Sequence, residues 1–498
     1  MKARQIGAHT LLRKIENRRM VIFGAGRKLE GVFHRFQQYH FERYVDYIVD
    51  NNEKLWGTTK LLGDMQVPVQ SVQYMRSHID RKTVIVIMIK QYSEVVKQLS
   101  GYEELKHNPV YRCPEYDYLS EKNMEAIIAK QPLRNIVMFQ GEGDNRENSL
   151  ALYEYMSEHG MLRRYRIVWL CDHPKNFSHI RHVSYIERNI YDGIPDLLDI
   201  WKDKLYRHTA RYLFYENKMI PKVRDGQIAV YLKHGTFMLK NVKGKICVPR
   251  DADGAICTSE NYADLAAEQE SISKEKLIIC GSPRLDFLYK KKNVLQTLKL
   301  WEPEKKYILW LPTLRQSKTV VRNDVRQTAP LGIPLIKSKE ELERLEKYLD
   351  KAGVKLVIKP HPHQDLSVYK IDAYKNIIFI PQDMLDRYDF TIHSLMRETN
   401  ALISDYSSIA FDYMLLDRPI AYTVDDMEDY LIGFSVDTPF DYMPGEKMYA
   451  FEDMLKFVDD VKNGTDIYAE QRRKVRDYIH EYQDDKNSER FLKIMGMC

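Results

Sequence analysis

The stretch LISDYSSIAFDYMLLDRPIAY, residues 402–422, joins an apolar strand, a polar turn and an amphipathic segment. Ser407 and Ser408 directly precede the segment IAFDYMLLD, and serine is a common residue at the start of a helix. We therefore predict that they lie where a helix presents its first free backbone N–H groups. The partial positive charge at this point suits a phosphate or diphosphate, so the stretch predicts an anion site at the end of a strand. An ordinary helix N-cap is the alternative interpretation of the same pattern.

Short apolar runs that end in Gly, Asp, Ser, His or Pro recur along most of the chain. They alternate with helix-like stretches such as SKEELERLEKYLDKAG, residues 338–353, and this alternation is typical of parallel sheets covered by helices. We predict an α/β protein of three units: residues 1–122, 130–290 and 300–498. The proline-containing segment 102–124 is predicted to connect the first unit to the second.

The composition is that of a globular protein and argues against several functional classes. Hydrophobic residues make up 44% of the 498 residues and charged residues 30%, with a formal net charge of +5. No motif for nucleic-acid binding is present, and the modest charge does not require such a partner. Six cysteines without a C-x-x-C pair argue against a disulfide framework and against a zinc knuckle.

The sequence predicts a cytoplasmic protein without a membrane span. Its longest strongly apolar run, residues 83–89, is far shorter than the roughly 20 residues that cross a bilayer. The first residues contain no apolar signal-peptide core. Residues 2–19 contain Ile6, Leu11, Leu12 and Ile15 among six basic residues, which predicts either a short amphipathic helix on an anionic membrane surface or a helix packed on its own domain.

The N-terminal unit contains a candidate nucleotide site. Gly24 and Gly26 follow an apolar strand and precede a helix-like stretch, and Asp50 ends the next strand. Glycines at such a turn let the backbone approach a phosphate, and an acidic residue at the second strand can bind ribose hydroxyls. However, the turn does not match G-x-G-x-x-G, and a tight strand-to-helix turn needs glycine for structural reasons alone.

Residues that directly follow the predicted strands form the candidate active site, because ligands of parallel sheets bind outside the carboxyl ends of the strands. Histidine at neutral pH can accept a proton from an attacking hydroxyl, and arginine or lysine can neutralise a transferring phosphoryl group. No metal site, phosphate-binding P-loop or G-x-S-x-G elbow is predicted. The strand-end residues are His234, Gly235, Gly281, Ser282, Pro283, Arg284, Asp286, Pro312, Thr313, Arg315, Lys359, His361, Pro362, His363, Ser404, Asp405, Tyr406, Ser407 and Ser408.

In order and spacing, these residues resemble the CDP-glycerol glycerophosphotransferase family, which includes teichoic-acid primases and polymerases. The resemblance begins at about Arg134 and continues to the last residues, while residues 1 to about 122 lie outside it. It is carried by the segments DNRENSLALYEYM, KHGTFMLK, GSPRLDFL, ILWLPTLR, KPHPH, LISDYSSIAFDYMLLDRPIAY, MPG and DDKNSERFL.

The resemblance implies a GT-B architecture, in which two Rossmann-like domains face each other across a cleft. In this chain a small Rossmann-like domain would precede them and would bind a nucleotide or serve as a scaffold. It implies transfer of a polyol phosphate, glycerol phosphate first, from a CDP-activated donor to a hydroxyl of a lipid-linked polyol-phosphate or glycan acceptor, with release of CMP. The family acts at the cytoplasmic membrane face in teichoic-acid or capsular polysaccharide synthesis, and no tightly bound cofactor is expected. The resemblance leaves the polyol, the number of units added and the oligomeric state open.

By the same resemblance, His234 would be the general base and His361 the second essential histidine, which contacts the phosphate. The remaining candidates would bind the donor, and they are Arg284, Thr313, Arg315, His363, Ser404, Asp405, Ser407 and Ser408. The sequence departs from the family at Lys233, where Trp is usual, and at Phe237 and Met238, which replace a proline-containing step. We expect these departures to change the acceptor pocket.

Two other functions fit parts of the sequence. A GT-B glycosyltransferase would share the fold but would usually release a nucleoside diphosphate from a nucleotide sugar. A nucleotide-sensing or scaffold protein would bind a nucleotide without turnover. The clustering of three strand-end histidines with the serines at 407 and 408 favours the transferase over the scaffold.

Overall fold

A computed structural model describes residues 3–6, 8–26, 29, 40–89, 92–112, 125–141, 147–172, 183–187, 197–216, 219–241, 251–313, 333–360 and 374–498. The chain divides into two compact units. Unit 1 comprises Met1–Met138, Arg166–Arg211 and Val223–Gln227, and unit 2 comprises Phe139–Tyr165, Tyr212–Lys222 and Ile228–Cys498. The three domain boundaries predicted from the sequence stay a prediction.

The N-terminal part of unit 1 contains a seven-stranded sheet with the order β1-β7-β6-β2-β3-β5-β4. Its pairs are parallel except for the antiparallel β4 and β5. The strands are β1 (Arg4–Gln5), β2 (Met20–Phe23), β3 (Val45–Val49), β4 (Thr59–Leu62), β5 (Met65–Gln70), β6 (Val84–Ile87) and β7 (Val110–Arg112). The helices are α1 (Ala8–Ile15), α2 (Val72–His78) and α3 (Tyr92–Ser100). Because β2 and β6 are buried along their whole length, their sequences are continuously apolar.

A second seven-stranded sheet has the order β10-β9-β8-β11-β12-β13-β14, which is the doubly wound pattern of Rossmann-like folds. Its strands are β8 (Arg134–Gln140), β9 (Arg166–Cys171), β10 (Val183–Glu187), β11 (Ala210–Tyr215), β12 (Ile228–Tyr231), β13 (Gly254–Cys257) and β14 (Leu277–Ile279). The helices of this part are α4 (Glu147–Glu158), α5 (Leu197–Thr209) and α6 (Glu260–Glu270). The loop after β12 contains His234.

The C-terminal sheet has the order β17-β16-β15-β18-β19-β20 and is parallel throughout. Its strands are β15 (Lys306–Trp310), β16 (Val354–Ile358), β17 (Ile377–Phe379), β18 (Ala401–Ser404), β19 (Ile420–Thr423) and β20 (Glu446–Met448). The helices are α7 (Val294–Thr297), α8 (Lys339–Ala352), α9 (Gln382–Asp386), α10 (Ile392–Met396), α11 (Ile409–Tyr413), α12 (Phe451–Asn463), α13 (Ala469–Ile479) and α14 (Asn487–Ile494). The strand order reverses between β15 and β18, and a crevice at such a point is where doubly wound sheets bind ligands.

Alternate residues of the C-terminal strands enter two different hydrophobic cores. On β15, Ile308 and Trp310 pack with the apolar faces of α8 and α12, whereas Leu309 belongs to the core on the opposite face. That second core also contains Phe237, from the loop after His234, and Phe411 of α11. Because strand side chains alternate between faces, the same sheet that supports α8 and α12 also fixes the elements around the candidate site.

Helix α8 confirms the helix predicted at residues 338–353. Ser338 is its N-cap, and the Ser338 side chain accepts a hydrogen bond from the backbone N–H of Glu341. Gly353 follows the helix with φ = 70°, a left-handed conformation that glycine adopts without a steric cost. The alternation of strands and helices predicted from the sequence is likewise confirmed.

The segments GSPRLDFL and DDKNSERFL meet at the start of α14. The Asp286 carboxylate accepts hydrogen bonds from the backbone N–H groups of Asn487 and Ser488 at 2.9 Å, and from the Asn487 side chain at 2.8 Å. Burial raises the pKa of Asp286 to about 6, although these hydrogen bonds oppose the increase. Gly281 has φ = 80°, and a Cβ atom at this position would overlap the Asn487 side chain. The strand-end residues Gly281 and Asp286 therefore anchor the C-terminal helix.

We predict that Gly281→Ala destabilises unit 2 more than Gly353→Ala. Both residues have a positive φ, which costs an alanine about 1–2 kcal/mol. Only Gly281 faces a side chain, because nothing lies within 4 Å of a Cβ at Gly353. Denaturant unfolding should show a loss of at least about 3 kcal/mol for Gly281→Ala. Equal losses in the two variants would contradict the contact with Asn487.

Candidate active site

The main chain around His234 is held by side chains from two other segments. Asn148, in the first turn of α4, donates from Nδ2 to the carbonyl oxygens of Leu232 at 2.7 Å and Lys233 at 3.1 Å. Arg284 donates from Nη1 to the His234 carbonyl oxygen at 2.5 Å. Three successive carbonyls are therefore fixed, while the His234 residue itself is exposed. A fixed backbone with an exposed imidazole is the arrangement that a general base needs.

Arg284 is buried between two carboxylates. Its Nη1 lies 2.7 Å from Glu147 Oε2, and its Nη2 lies 2.8 Å from Asp412 Oδ2. Only 3% of the Arg284 side chain is exposed. The sequence predicted Arg284 as a donor contact, but its guanidinium is already bonded to these carboxylates and to the His234 carbonyl. Arg284 thus has partners within the protein, and its contact with a donor stays a prediction.

Glu147 is the first residue of α4 and has φ = 59°, an uncommon conformation for a residue other than glycine. Burial tends to raise its pKa, but the positive charge of Arg284, with smaller contributions from His393 and His234, lowers it below the usual value. Glu147 is therefore a carboxylate at neutral pH. Ser149, in the same first turn of α4, is anchored separately, because the Glu216 carboxylate accepts hydrogen bonds from the Ser149 backbone N–H and hydroxyl at 2.6 and 2.8 Å.

Asp412 connects α11 to the His234 loop. It accepts a hydrogen bond from the Thr236 hydroxyl, and it lies 2.8 Å from His393 Nε2 and from Arg284 Nη2. Burial raises the pKa of this carboxyl group, but Arg284, His393 and Thr236 outweigh burial and lower the pKa to about 2. Asp412 is therefore ionised and fully bonded in the interior, as a buried charge requires.

Ser408 lies against the residue that follows His234. A Cβ atom on Gly235 would be 2.7 Å from Ser408 Oγ and 2.9 Å from Ser408 Cβ, so only glycine permits this approach. Ser407 and Ser408 precede α11 as predicted, and their carbonyls accept the first hydrogen bonds of this segment. The Ser408 side chain makes no capping hydrogen bond, and α11 is only five residues long. The structure therefore brings the predicted anion segment beside the predicted base.

The two strands at the reversal point of the C-terminal sheet are joined by Thr313 and Asp405. Asp405 Oδ2 accepts hydrogen bonds from the Thr313 backbone N–H at 2.8 Å and from its hydroxyl at 2.7 Å. Ser404 ends β18 and is buried, and its carbonyl accepts a bond from the Thr423 hydroxyl. Three of the predicted donor-binding residues thus meet at the crevice that the strand order indicates. Their contact with a donor stays a prediction.

The three departures from the family pattern lie mainly in the interior. Lys233 is buried with φ = 57°, and its ammonium group lies 3.0 Å from the Glu270 carboxylate. Burial would lower the pKa of Lys233, but Glu270 outweighs burial and raises it. Phe237 is buried and contacts the rings of Phe411, Tyr262 and Tyr442, and Met238 is partly buried. Lys233 and Phe237 thus have partners inside the protein, and the effect of these departures on the acceptor pocket stays a prediction.

The N-terminal candidate nucleotide residues have structural partners. Asp50 accepts hydrogen bonds from the backbone N–H groups of Ala25 and Asn52, at 2.7 and 2.8 Å. Gly24 has φ = 115°, and its N–H donates to the Val49 carbonyl. Among the described residues, no atom lies within 4 Å of a Cβ at Gly26. These bonds explain Gly24 and Asp50 as parts of a tight turn, and the nucleotide site stays a prediction.

Arg315, His361 and His363 lie outside the described residues, so the structure does not test their predicted roles. Within the described ranges, no group of three or more His, Cys, Asp or Glu residues could hold a metal ion. The same ranges contain no helix that is long and apolar enough to cross a membrane.

Four residues of this site were missed by the sequence reasoning: Glu147, Asn148, His393 and Asp412. Three of them belong to segments that carry the family resemblance, DNRENSLALYEYM and LISDYSSIAFDYMLLDRPIAY. Sequence spacing points to Asp412 alone among them. It follows Ser408, the N-cap of α11, by four residues, and so lies one helical turn further along. The sequence around His393 contains no motif that indicates a functional residue.

Parallel doubly wound sheets with polar strand ends define an α/β protein of the GT-B class, preceded by a Rossmann-like domain. A solved structure of a variant of the wall teichoic acid polymerase TagF, soaked with CDPG, shares this fold with a TM-score of 0.57 and 17% identity, over 82% of this chain and 97% of that one. Residues 124–495 match the family described as CDP-Glycerol:Poly(glycerophosphate) glycerophosphotransferase. The chain belongs to this family, as its motifs predicted.

Curated relatives include enzymes for two different polyols. The chain is 27% identical over 247 residues to the teichoic acid ribitol-phosphate polymerase TarL of Staphylococcus aureus (strain NCTC 8325 / PS 47), which covers 48% of this chain and 40% of that protein. It is 25% identical over 405 residues to the teichoic acid glycerol-phosphate transferase of the same strain, which covers 74% of this chain and 95% of that protein. The alignment with TarL thus spans less than half of that polymerase's length.

We predict that Asp412→Asn destabilises the protein at neutral pH and that this effect shrinks in acid. The folded pKa of about 2 lies below the unfolded value of about 3.9, so the ionised carboxylate contributes stability above pH 4 that is lost as the pH falls toward 2. Urea unfolding at pH 7 should show a loss of about 3–5 kcal/mol for the variant. The difference in stability between the wild type and the variant should shrink progressively as the pH falls from about 4 to 2.

The exposed Asp264 provides the control for this comparison. Asp264→Asn removes only a surface pair with Lys274 and should leave the stability nearly unchanged at every pH. A constant difference between Asp412→Asn and the wild type from pH 7 to pH 2 would contradict the low pKa of Asp412.

Proposed function

We propose that this protein transfers a polyol phosphate from a CDP-activated donor to a hydroxyl group of a lipid-linked acceptor and releases CMP. The observation that carries the proposal is the contact of Gly235 with Ser408, because it joins the predicted base to the predicted donor segment. The family match supports the reaction class, and its description names a CDP-glycerol substrate. Glycerol phosphate is the first choice of transferred group, with ribitol phosphate the alternative that the polymerase TarL suggests.

The donor binds, in this proposal, at the carboxyl edge of the C-terminal sheet. Thr313, Ser404 and Asp405 line the crevice between β15 and β18, and Ser407 and Ser408 supply hydroxyl and backbone donors beside it. Arg315 and His363 complete the set predicted from the sequence. The soak of the polymerase TagF with CDPG concerns a protein of similar fold, and it supports testing a CDP-alcohol first.

His234 acts as the general base. Its exposed imidazole takes the proton of the acceptor hydroxyl while that oxygen forms a bond to the phosphorus of the polyol phosphate. The bond between this phosphorus and the oxygen of CMP breaks, and CMP leaves with the electron pair. His361, by the family resemblance, would contact the transferring phosphoryl group and stabilise its charge.

The place of this reaction is proposed as the cytoplasmic membrane face, in teichoic-acid or capsular polysaccharide synthesis. A lipid-linked acceptor requires the protein to work at a membrane surface, so we propose peripheral association. The N-terminal Rossmann-like domain is proposed to bind a nucleotide or to serve as a scaffold, and the three domains 1–122, 130–290 and 300–498 are proposed with it.

We predict that His234→Ala lowers CMP release by roughly 10²- to 10⁴-fold, which is the usual contribution of a general base. The measurement is chromatography of the nucleotides released from CDP-glycerol, CDP-ribitol and common nucleotide sugars, with a lipid-linked polyol-phosphate acceptor. His159→Ala is the matched control, because His159 is an exposed residue that bonds only within α4 and its end.

The nucleotide that appears decides between the candidate functions. CMP from a CDP-polyol in the wild type and in His159→Ala, but not in His234→Ala, is the expected result. Release of a nucleoside diphosphate from a sugar donor would identify a GT-B glycosyltransferase. Binding of nucleotide without turnover of any donor would identify the sensing or scaffold function.

A further inference from the structure

Arg284 lies where three parts of unit 2 converge. Its backbone N–H donates to Asn148 Oδ1 at 3.0 Å, and the Ser282 hydroxyl donates to the same oxygen at 2.8 Å. Its guanidinium joins Glu147, Asp412 and the His234 carbonyl. The residue thus links the first turn of α4, the His234 loop and α11.

The partners of Arg284 differ in exposure. Asp412 is completely buried and also bonds Thr236 and His393, whereas Glu147 retains 22% of its side-chain surface. A guanidinium with its two terminal nitrogens on carboxylates 2.7 and 2.8 Å away has a fixed orientation. Because Nη1 also bonds the His234 carbonyl, that orientation fixes the backbone from which the imidazole projects.

We propose that Arg284, held between Glu147 and Asp412, is a positioning residue that fixes the backbone of His234 for proton abstraction and does not contact the donor. This inference rests on the proposed function. Asp412 acts in the same way on the other side of His234, through the Thr236 hydroxyl. The same contacts also position the donor segment. Ser408 directly precedes α11, and Asp412 lies one turn further along that helix.

A comparison of two buried arginines tests this role. Arg472 is also buried and also bridges two carboxylates, with Nη2 lying 3.0 Å from Asp417 and 2.6 Å from Asp466. Among the described residues, none of its hydrogen bonds or ion pairs reaches the candidate site. Arg284→Lys and Arg472→Lys keep the charge and lose the planar fork, so both should lower the unfolding midpoint. Only Arg284→Lys should lower kcat, by about 100-fold, because a small misplacement of a catalytic group has an effect of this size.

The donor KM separates positioning from donor contact. The proposal predicts a donor KM within threefold of the wild type in Arg284→Lys. A raised donor KM with an unchanged kcat would show that Arg284 contacts the donor after all, as the sequence suggested. An equal fall of kcat in Arg472→Lys would show that the effect reflects general stability, and would overturn the proposal.

Two less disruptive substitutions test the same role if the Arg284→Lys variant does not fold. Thr236→Val removes the hydroxyl that Asp412 holds, and we expect a lower kcat with little change in donor KM, which Thr236→Ser should largely rescue. Thr209→Val is the control, since its buried hydroxyl bonds only the Leu205 carbonyl within α5. A normal kcat in Thr236→Val would contradict the link through Asp412.

Hydrogen exchange distinguishes failure of this inference from failure of the proposed function. If the wild type releases no CMP from any CDP-polyol, the proposed function is wrong. The amides of residues 232–236 should still exchange faster in Arg284→Lys than in the wild type and in Arg472→Lys. Unchanged exchange in that segment would refute the positioning role whatever the reaction.

Discussion

The candidate site depends on one buried guanidinium. A charged group inside a protein must be paired and hydrogen-bonded, and Arg284 meets this requirement with Glu147, Asp412 and the His234 carbonyl. These three partners come from distant parts of the sequence, so the requirement brings distant segments together. The position of the His234 backbone is a consequence of satisfying this charge.

Buried polar groups in general need hydrogen-bond partners, and this requirement explains why residues of several family motifs are buried within the protein. Asp286 and Gly281 anchor α14, Asn148 holds two carbonyls of the His234 loop, and Glu216 holds the first turn of α4. Each of these residues follows a strand or begins a helix, where unpaired backbone groups need partners. Many residues of the family motifs therefore hold the loops and helix ends in place, and fewer of them are available for catalysis.

Much of the fold follows from the sequence alone. Apolar runs separated by helical stretches predicted the parallel sheets, and Ser338 with Gly353 marked both ends of α8. The rule that ligands bind at the carboxyl ends of strands also predicted that His234 and the serines at 407 and 408 would be neighbours, and the contact of Gly235 with Ser408 agrees with it.

The residues that sequence reasoning missed have ordinary local patterns. Glu147 and Asn148 look like residues of an exposed helix start, and Asp412 looks like the polar face of an amphipathic segment. The predicted contact of Arg284 with the donor stays a prediction, but its position at a strand end gave no sign of its burial or of its partners within the protein. Only the tertiary contacts decide whether a charged side chain meets a ligand or another part of the chain.

The stoichiometry of the reaction tests polyol-phosphate transfer. With CDP-glycerol and a lipid-linked acceptor, mass spectrometry of the acceptor and chromatography of the nucleotides should show one glycerol phosphate added for each CMP released. CMP released without a gain in acceptor mass, or a gain in mass accompanied by a nucleoside diphosphate, would contradict polyol-phosphate transfer at this site.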